Sequence, residues 1–154
     1  MTQEEVLQLF DQYHDMVYRL ALAATRSVYD AEDITQTVFL KLLGGCAAPK
    51  PGSERAWLAS VTVNACRDLF RSSQRHKTEP LDETIPFSAP EEASLFDAVM
   101  ELPAKYRLVI HLHYYEGYSG VEIAEMLKVK PSTVSMRIHR ARNMLRSKLK
   151  EELP

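Results

Sequence analysis

The spacing of apolar and polar side chains predicts helices along almost the whole chain. From Glu4 to about Leu43 apolar residues recur at helical intervals, and no glycine or proline interrupts them before Gly44. Acidic residues at positions 30–33 suit a first helical turn, because carboxylates oppose the helix dipole favourably. Here the spacing predicts a buried stripe of Ala31, Ile34, Val38 and Leu42. A neighbouring stripe, which spacing alone would leave as ordinary surface, holds Asp33, Gln36, Thr37 and Leu40.

A loop rich in glycine and proline at residues 44–53 separates this part from a further predicted helix, for which Ser53 is the expected N-cap. Its predicted buried positions are Leu58, Val61, Ala65 and Leu69. On another side, polar side chains collect within about 100° of arc, namely Ser60, Asn64, Arg67, Arg71, Gln74 and Arg75. Such a face can follow nucleic-acid phosphates while Asn and Trp meet bases. A solvated surface over a core Trp57 fits the composition equally well.

Residues 76–91 have three prolines and no helical period, which predicts a flexible acidic linker. Two more helices follow, from Glu91 to Leu102 and from Ala104 to Tyr115, broken at Leu102–Pro103.

The stretch from Tyr118 to Leu145 has the pattern of a helix-turn-helix that reads duplex DNA. Ser119 and Glu122 have the spacing of a capping box. The first helix then offers four residues for burial, namely Val121, Ile123, Ala124 and Leu127. Residues 128–130 make the turn, and Pro131 suits the first position of the second helix, where an N–H is not needed.

The second helix of this motif divides by angle into an apolar and a polar side. The apolar stripe consists of Val134, Ile138, Ala141 and Leu145. The opposite side carries Ser132, Met136, His139, Arg140 and Asn143, with Ser135 on one flank and Thr133 and Arg137 on the other. From residue 132 to 150 there are six basic residues and no acidic one. A basic run alone would indicate a solvated helix, but the capped helix, the turn and the proline start together favour DNA binding.

Charge is segregated along the chain in a way that the net charge of −2 conceals. Residues 1–40 hold seven acids and two bases, residues 78–101 hold seven acids and no base, and residues 102–154 hold ten bases and five acids. This asymmetry suits nucleic acid at one end and a different partner at the other. The 45% hydrophobic content is enough for a core.

Several functional classes find no support in the residues. Cys46 and Cys66 lack metal-ligand spacing, so we expect no zinc site or disulfide framework and a reduced, cytoplasmic setting. His111 and His113 face different ways on a helix and are poor metal partners. No apolar run approaches the ~20 residues of a spanning helix, and we expect no membrane insertion. Neither a glycine-rich phosphate loop nor a nucleophile–base set is recognisable, so we expect no metal, no cofactor and no enzymatic activity.

Three segments in order resemble the extracytoplasmic-function (ECF) sigma factors, the minimal two-domain members of the sigma-70 family. DAEDITQTVFLKLL resembles the family's polymerase-binding helix. RAWLASVTVNACRDLFRSSQR resembles its helix that melts and reads the −10 element, with the family's Trp, Asn and Asp at Trp57, Asn64 and Asp68. LPAKYRLVIHLHYYEGYSGVEIAEML followed by STVSMRIHRARNML resembles its −35-reading domain. The resemblance covers nearly the whole chain.

The resemblance implies an all-α protein of two small helical domains joined by the linker, the C-terminal one a four-helix domain with the helix-turn-helix. The implied boundaries are 1–75 for the domain that binds core polymerase and the −10 element, 76–91 for the linker and 92–154 for the −35 domain. Its implied partners are core RNA polymerase (the β′ clamp helices and the β subunit), promoter DNA and an anti-sigma factor.

The resemblance also implies roles for individual residues. The implied polymerase-binding residues are Asp33, Gln36, Thr37 and Leu40. The implied −10 residues are Trp57, Asn64, Arg67, Arg71 and Arg75. The implied −35 residues are Lys130, Ser132, Thr133, Ser135, Met136, Arg137, His139, Arg140 and Arg142.

Two positions depart from the family pattern, and two other functional classes compete with this one. The family usually has Gly in the turn and Ser before the second helix, where this chain has Lys128 and Lys130. Lys128 must therefore tolerate a backbone angle that favours glycine, or else the turn shifts. The main alternative is a stand-alone helix-turn-helix regulator that never joins polymerase, but such a protein has no need of the DAEDITQTVF helix. An enzyme with a DNA-binding tail is disfavoured because residues 1–75 offer no catalytic set.

Overall fold

The computed structural model describes residues 1–45, 47–76, 95 and 97–152, with the side chains of all of these except 72–76 and 150–152. The described residues form helices, turns and loops and no strand, which confirms the predicted all-α fold. The helices form two compact units, which we describe separately. The predicted acidic linker lies, apart from His76, outside the described residues, as does the start of the helix predicted from Glu91.

The first unit is built from three helices: α1 (Gln3–Thr25), α2 (Val28–Leu43) and α3 (Glu54–His76), each packed against the other two. A capping box starts α1, in which the Thr2 hydroxyl accepts from the Glu5 N–H at 3.1 Å and the Glu5 carboxylate accepts from the Thr2 N–H at 3.2 Å. Both N–H groups would otherwise lack partners at a helix start.

The predicted helical pattern from Glu4 to Leu43 is divided in two by a turn without glycine or proline. Arg26 adopts the left-handed conformation with φ 57°, and its N–H donates to the Leu22 carbonyl at 2.8 Å. Ser27 then caps α2, its hydroxyl accepting from the Asp30 N–H at 3.1 Å. The uninterrupted pattern concealed this break because an arginine carries the backbone angle that glycine usually supplies.

The buried stripe predicted for α2 is confirmed, since Ala31, Ile34, Val38 and Leu42 are all buried. Two threonines are buried beside the apolar residues, and each satisfies its hydroxyl within its own helix. Thr35 donates to the Ala31 carbonyl and Thr62 to the Leu58 carbonyl, both at 2.7 Å. A buried hydroxyl with such a partner avoids the cost of an unpaired polar group.

The orientation predicted for α3 is wrong by about a quarter of a turn at 100° per residue. Of the four residues expected in its core stripe only Leu58 is buried, and the other three are partly exposed. The residues that α3 buries are instead Leu58, Ala59, Thr62, Val63 and Cys66. Burial of Thr62 and Cys66 in this orientation costs little, because the Thr62 hydroxyl is hydrogen-bonded within the helix and the Cys66 thiol packs as a small apolar group.

The second unit contains α4 (Ala104–Ile110), a π-helical segment (His111–Tyr115), α5 (Gly120–Leu127) and α6 (Pro131–Glu152), preceded by helical residues at 97–100. Helices α4 and α5 both pack on α6. One core cluster joins Val99, Leu102, Tyr106, Ile110 and Ala141, with Met144 and Leu145 packed against it. The predicted helix from Ala104 to Tyr115 is thus α-helical only to Ile110, where an i→i+5 pattern begins.

Buried polar side chains lie where the helices of this unit meet the segments before and after them. The Arg107 guanidinium donates to the Leu102 carbonyl at 2.9 Å and so ties α4 to the chain before it. His111 Nε2 lies 3.2 Å from a Glu116 carboxylate oxygen, and both side chains are buried. The Glu116 N–H also donates to the His111 carbonyl at 3.1 Å, a backbone hydrogen bond at the end of the π-helical segment.

Candidate polymerase-binding and DNA-binding surfaces

The predicted cap and turn of the helix-turn-helix have the geometry that their residues indicate. Ser119 and Glu122 form the predicted capping box at 3.2 and 3.0 Å. Lys128 adopts the left-handed conformation with φ 57° and ψ 44°, which confirms that this lysine occupies the position where glycine is usual. The Val129 N–H donates to the Ala124 carbonyl at 3.0 Å, and Pro131 begins α6 as predicted. Backbone hydrogen bonds therefore maintain the turn despite the lysine.

One residue predicted for the core of α5 lies on its outer side instead. Ile123, Ala124 and Leu127 are buried, but Val121 is 59% exposed. Val121 lies about 140° of arc from the centre of the buried face, whose fourth member is Met126. The prediction that Val121 is buried was therefore wrong. It relied on the apolar side chain and disregarded the angle of Val121 around the helix axis.

Helix α6 presents a broad polar side away from its core stripe. Val134 and Ala141 have no exposed surface, while Ile138 and Leu145 are partly buried. The exposed residues of the polar side are Ser132, Ser135, Met136, His139, Arg140, Arg142 and Asn143. Thr133 and Arg137 are half-buried on the flank, and Lys130 is exposed in the turn. The helix thus offers a row of uncharged hydrogen-bonding groups flanked by arginines, a composition suited to base edges with phosphates beside them.

Two tyrosines that the sequence did not single out lie beside basic side chains, one of them an arginine of α6. The Arg142 guanidinium lies 5.3 Å from the centre of the Tyr114 ring. The pKa of the Tyr106 hydroxyl is lowered, mainly by a hydrogen bond from the Arg140 side chain and further by the nearby charge of Lys105. The Lys105 ammonium lies 5.1 Å from the Tyr106 ring centre. Sequence spacing could not have revealed the contact of Tyr114 with Arg142, because these residues are 28 positions apart.

On α3, the polar face lies opposite the helix's core side. Trp57, Asn64 and Arg71 fall within about 40° of one another, with Arg67 beside them. Trp57, Asn64 and Arg67 are partly exposed and Arg71 is exposed. The side chain of Arg75 lies outside the described part. The quarter-turn correction to α3 places this face more squarely away from the core than the sequence indicated.

The outer face of α2 carries all four predicted polymerase-binding residues. Asp33, Gln36, Thr37 and Leu40 are exposed, and Leu40 is 62% exposed. The Thr37 hydroxyl donates to the Asp33 carbonyl at 2.9 Å. Near the end of this face Leu43 is also exposed and, together with Met1, Gln3 and Val6, lines a surface pocket. The face therefore combines polar groups with uncovered apolar surface, as protein-binding surfaces do.

The described residues offer neither a metal site nor a membrane-spanning helix. They contain no group of three His, Cys, Asp or Glu side chains placed to hold a metal ion. Nor does any helix in this part of the chain have the length and apolar character needed to cross a membrane.

Two family models match successive parts of the chain. Residues 9–76 match "Sigma-70 region 2", and residues 93–145 match "Sigma-70, region 4". These segments contain α2, α3 and the helix-turn-helix, which are the three elements that carry the predicted surfaces.

Several named relatives cover most of the chain. "ECF RNA polymerase sigma factor SigE" of Mycolicibacterium smegmatis is 34% identical over 92% of this chain and 60% of its own length. "ECF RNA polymerase sigma factor SigM" of Mycobacterium tuberculosis is 33% identical over 90% of this chain and 74% of its own length. "ECF RNA polymerase sigma factor SigW" of Bacillus subtilis is 29% identical over 97% of this chain and 91% of its own length. The chain therefore spans less than two thirds of the SigE relative but most of the other two.

Two solved structures share the fold. The sigma factor RpoE of Bartonella quintana, solved with the anti-sigma factor NepR, has a TM-score of 0.81 at 22% identity and covers 96% of this chain and 98% of its own. CnrH, solved with the cytosolic domain of CnrY, has a TM-score of 0.68 at 26% identity. The match covers 97% of this chain and 90% of the CnrH chain. Both regions, in the expected order on an all-α fold, match one family, and the chain belongs to the ECF sigma factors of the sigma-70 family.

Proposed function

We propose that this RNA polymerase sigma factor uses three separate helix faces, one for polymerase and two for promoter DNA. The observation that carries the proposal is common to α2, α3 and α6. Each buries one side, and the described residues that the family resemblance assigns to a partner are all exposed or partly exposed. The chain would act as a transcription initiation factor, while RNA synthesis itself stays with the core enzyme.

Core polymerase would bind the outer face of α2 through its β′ clamp helices. Asp33 and Gln36 offer charge and hydrogen bonds, and Leu40 offers an apolar contact. Thr37 lies within the same face, although its hydroxyl already donates to the Asp33 carbonyl. An interface of this composition gains affinity from desolvating the leucine and specificity from the polar groups around it.

The −10 element would bind the polar face of α3. Trp57 offers a ring on which an unstacked base can lie, and Asn64 offers both a donor and an acceptor to a base edge. Arg67, Arg71 and Arg75 would bind the backbone phosphates beside that base. Phosphate contacts position the chain, whereas the amide reads the base. We therefore assign to Asn64 the recognition of a −10 base that is accessible only after the duplex opens.

The −35 element would bind α6 in the major groove. The base-reading residues would be Ser135, Met136, His139 and Arg140. The supporting contacts would come from Lys130, Ser132, Thr133, Arg137 and Arg142. An arginine can donate two hydrogen bonds to the same guanine, which makes Arg140 the strongest single source of specificity on this helix.

An anti-sigma protein is a further proposed partner. The CnrH structure, at 26% identity, was solved with the cytosolic domain of CnrY. The exposed apolar residues Leu7, Leu40 and Leu43 of the first unit offer surface for such a partner. Because polymerase and promoters are cytoplasmic, we propose that the chain works there.

Reconstitution with bacterial core polymerase tests the function directly. The chain and core enzyme would transcribe a library in which the −35 and −10 positions are randomised, and the run-off products would be sequenced. We expect selection of one −35 and one −10 sequence with a fixed spacing between them. Core enzyme alone is the control, and it should show no such selection.

The alternative of a stand-alone regulator predicts a different outcome. Such a protein would select a DNA site in the absence of polymerase and would neither copurify with core enzyme nor support run-off transcription. That pattern would contradict the proposal. The match to region 2, which includes the α2 face, favours the sigma factor instead.

A further inference from the structure

Tyr114 lies beside α6 with a face of its ring against an arginine. The Arg142 Cζ atom lies over this ring at 5.3 Å from its centre, within the ~6 Å at which a cation is attracted to an aromatic face. Both residues are exposed. The contact therefore joins the π-helical segment to α6 at the surface of the second unit, where the guanidinium stays open to a ligand.

A second neighbour of the Tyr114 ring is the ring of His113. The two ring centres are 4.8 Å apart and the ring planes are inclined by 82°, which is an edge-to-face arrangement. His113 is itself bound to the backbone, because its Nδ1 lies 2.9 Å from the Tyr118 carbonyl oxygen. A carbonyl oxygen only accepts, so Nδ1 carries the proton and donates. Tyr114 is thus packed against a side chain that is hydrogen-bonded directly before the Ser119 cap of α5.

Arg142 occupies a part of α6 that passes the DNA backbone when the start of the helix lies in the major groove. With 22 residues, α6 is about 33 Å long, whereas the groove is about 12 Å wide. Recognition helices of this motif contact base edges with their N-terminal residues. Arg142 follows the proposed base reader Ser135 by close to two turns, or about 10 Å, along the same side of the helix. A phosphate is therefore the expected ligand of Arg142.

The contact with the ring leaves the guanidinium able to bind that phosphate. A guanidinium has five N–H donors in a planar fork, and a bidentate phosphate contact uses two of them. An exposed arginine loses side-chain entropy when DNA fixes it, and a ring that restricts the guanidinium beforehand removes part of this cost. At an exposed site the attraction between cation and ring corresponds to about a two- to fivefold change in affinity.

We infer that Tyr114 is a positioning residue for promoter binding: its ring holds the Arg142 guanidinium ready for a phosphate of the −35 element, and the tyrosine itself does not touch DNA. The inference rests on the proposed role of Arg142 as a supporting −35 contact. It adds to that role a residue of the π-helical segment, outside the helix that enters the groove.

The test measures how tightly polymerase holoenzyme binds the selected −35 element and its single-base variants at several salt concentrations. Tyr114→Leu removes the aromatic face, whereas Tyr114→Phe keeps the face and removes only the hydroxyl. We expect Tyr114→Leu to weaken binding about two- to fivefold, alike for all −35 sequences, and to flatten the salt dependence in the same direction as Arg142→Ala. Tyr114→Phe should bind as the parent does. In the Arg142→Ala background Tyr114→Leu should have no further effect, because the ring acts only through the arginine.

Tyr115→Leu is the matched control. Tyr115 belongs to the same π-helical segment and is also exposed, but its ring stacks on His111 with the ring centres 5.3 Å apart. The change should leave the affinity and the salt dependence as in the parent. Thermal unfolding of every variant identifies a loss of fold, since a merely structural tyrosine would weaken binding equally with and without Arg142.

Three results would overturn the inference while the proposed function stands. In the first, Tyr114→Leu binds like the parent although Arg142→Ala weakens binding. In the second, Tyr114→Phe loses as much affinity as Tyr114→Leu, which would make the hydroxyl a direct DNA contact. In the third, the loss in Tyr114→Leu persists in full in the Arg142→Ala background, which would make the role of the ring structural. If Arg142→Ala itself leaves affinity and salt dependence unchanged, the assignment of Arg142 as a −35 contact fails, and the inference fails with it.

Discussion

At the scale of single residues, two side chains occupy backbone conformations that disfavour them. Arg26 and Lys128 both have φ 57°, and in the described ranges they are the non-glycine residues with positive φ. Each ends a helix whose partner helix follows within a few residues. In both places the energetic cost of the left-handed conformation is offset, because the turn joins two helices that pack together.

Lys128→Gly should stabilise the helix-turn-helix. A non-glycine residue in the left-handed region costs about 1–2 kcal/mol, and the greater unfolded-state entropy of glycine returns about 0.5–1 of this, so we expect a net gain of about 0.5–1 kcal/mol. Native-state hydrogen exchange of amides in α5 and α6 measures it. Arg26→Gly should produce the gain in α1 and α2 instead, and Lys128→Ala should produce none. Equal protection in Lys128→Gly and the parent would contradict the strain argument.

Cys66 should make folding sensitive to alkaline pH. Burial, helped by the negative charge of Asp30, raises the pKa of its thiol from 9.0 to about 12. Because the folded-state pKa is raised, the stabilisation is complete below pH 9 and is lost as the pH rises towards 12, by roughly 4 kcal/mol at the upper end. Denaturant unfolding at pH 8 to 11 tests this.

The control for that series is Cys66→Ala, which should be less stable at pH 8 through lost packing but should decline less steeply with pH. Other groups that titrate in this range, such as the tyrosines, contribute equally to both proteins. A parent and variant with parallel declines would show that the thiol is not responsible.

At the scale of elements, periodicity predicted α2 and α6 well and α3 poorly. In α2 and α6 the large aliphatic residues fall on one stripe, so the stripe identifies the buried face. In α3 the buried side includes Thr62 and Cys66, while Val61 and Leu69 are only partly buried. Packing against two helices decided the rotation of α3, and that information is not local in the sequence.

On α2, Asp33→Ala combined with Gln36→Ala should weaken binding to core polymerase without unfolding the protein. Both residues are exposed beside a buried stripe, and surface changes of this kind usually alter stability by at most about 0.5 kcal/mol. Binding to core enzyme and thermal unfolding would be measured together. Glu4→Ala with Gln8→Ala, two exposed residues of α1, is a matched control. Unchanged affinity, or a much lower unfolding temperature, would refute the assignment of this face.

On α3, Asn64→Ala should impair promoter opening more than closed-complex formation. Its amide faces the same side as Arg71, so the arginine can still hold phosphates when the amide is lost. A template with a premelted −10 bubble separates reading from melting. If Asn64 reads the extruded base, the bubble should not restore binding, whereas full rescue would limit Asn64 to a role in melting. Arg71→Ala should instead weaken bubble and duplex templates alike.

At the scale of the whole molecule, charge and function divide along the chain. Seven acids against two bases in residues 1–40 oppose DNA, while the excess of bases in residues 102–154 attracts it. The sequence was sufficient for the all-α class and for the family, because three motifs in order are independent signals. It was not sufficient for the contact of Tyr114 with Arg142, which joins two elements that are distant in the sequence.

The isolated chain should therefore bind promoter duplex weakly, and specific binding should appear with core polymerase. The acidic N-terminal part repels the DNA backbone, and this repulsion opposes the attraction of the basic C-terminal part. Added salt should weaken the repulsion. A gel-shift comparison of the chain, core enzyme and their complex at physiological salt measures this. Tight, sequence-specific binding by the chain alone would contradict the prediction.

The π-helical segment bears on how this chain should be compared with its relatives. The Glu116 N–H donates to the His111 carbonyl at 3.1 Å, so five residue steps separate the bonded pair where an α-helix has four. A homologue that continues as an ordinary α-helix would close the same hydrogen-bonded ring with one residue fewer. An alignment with such a homologue should accordingly open a one-residue gap between His111 and Glu116, and without that gap His113 and the two tyrosines after it would be paired with the wrong positions.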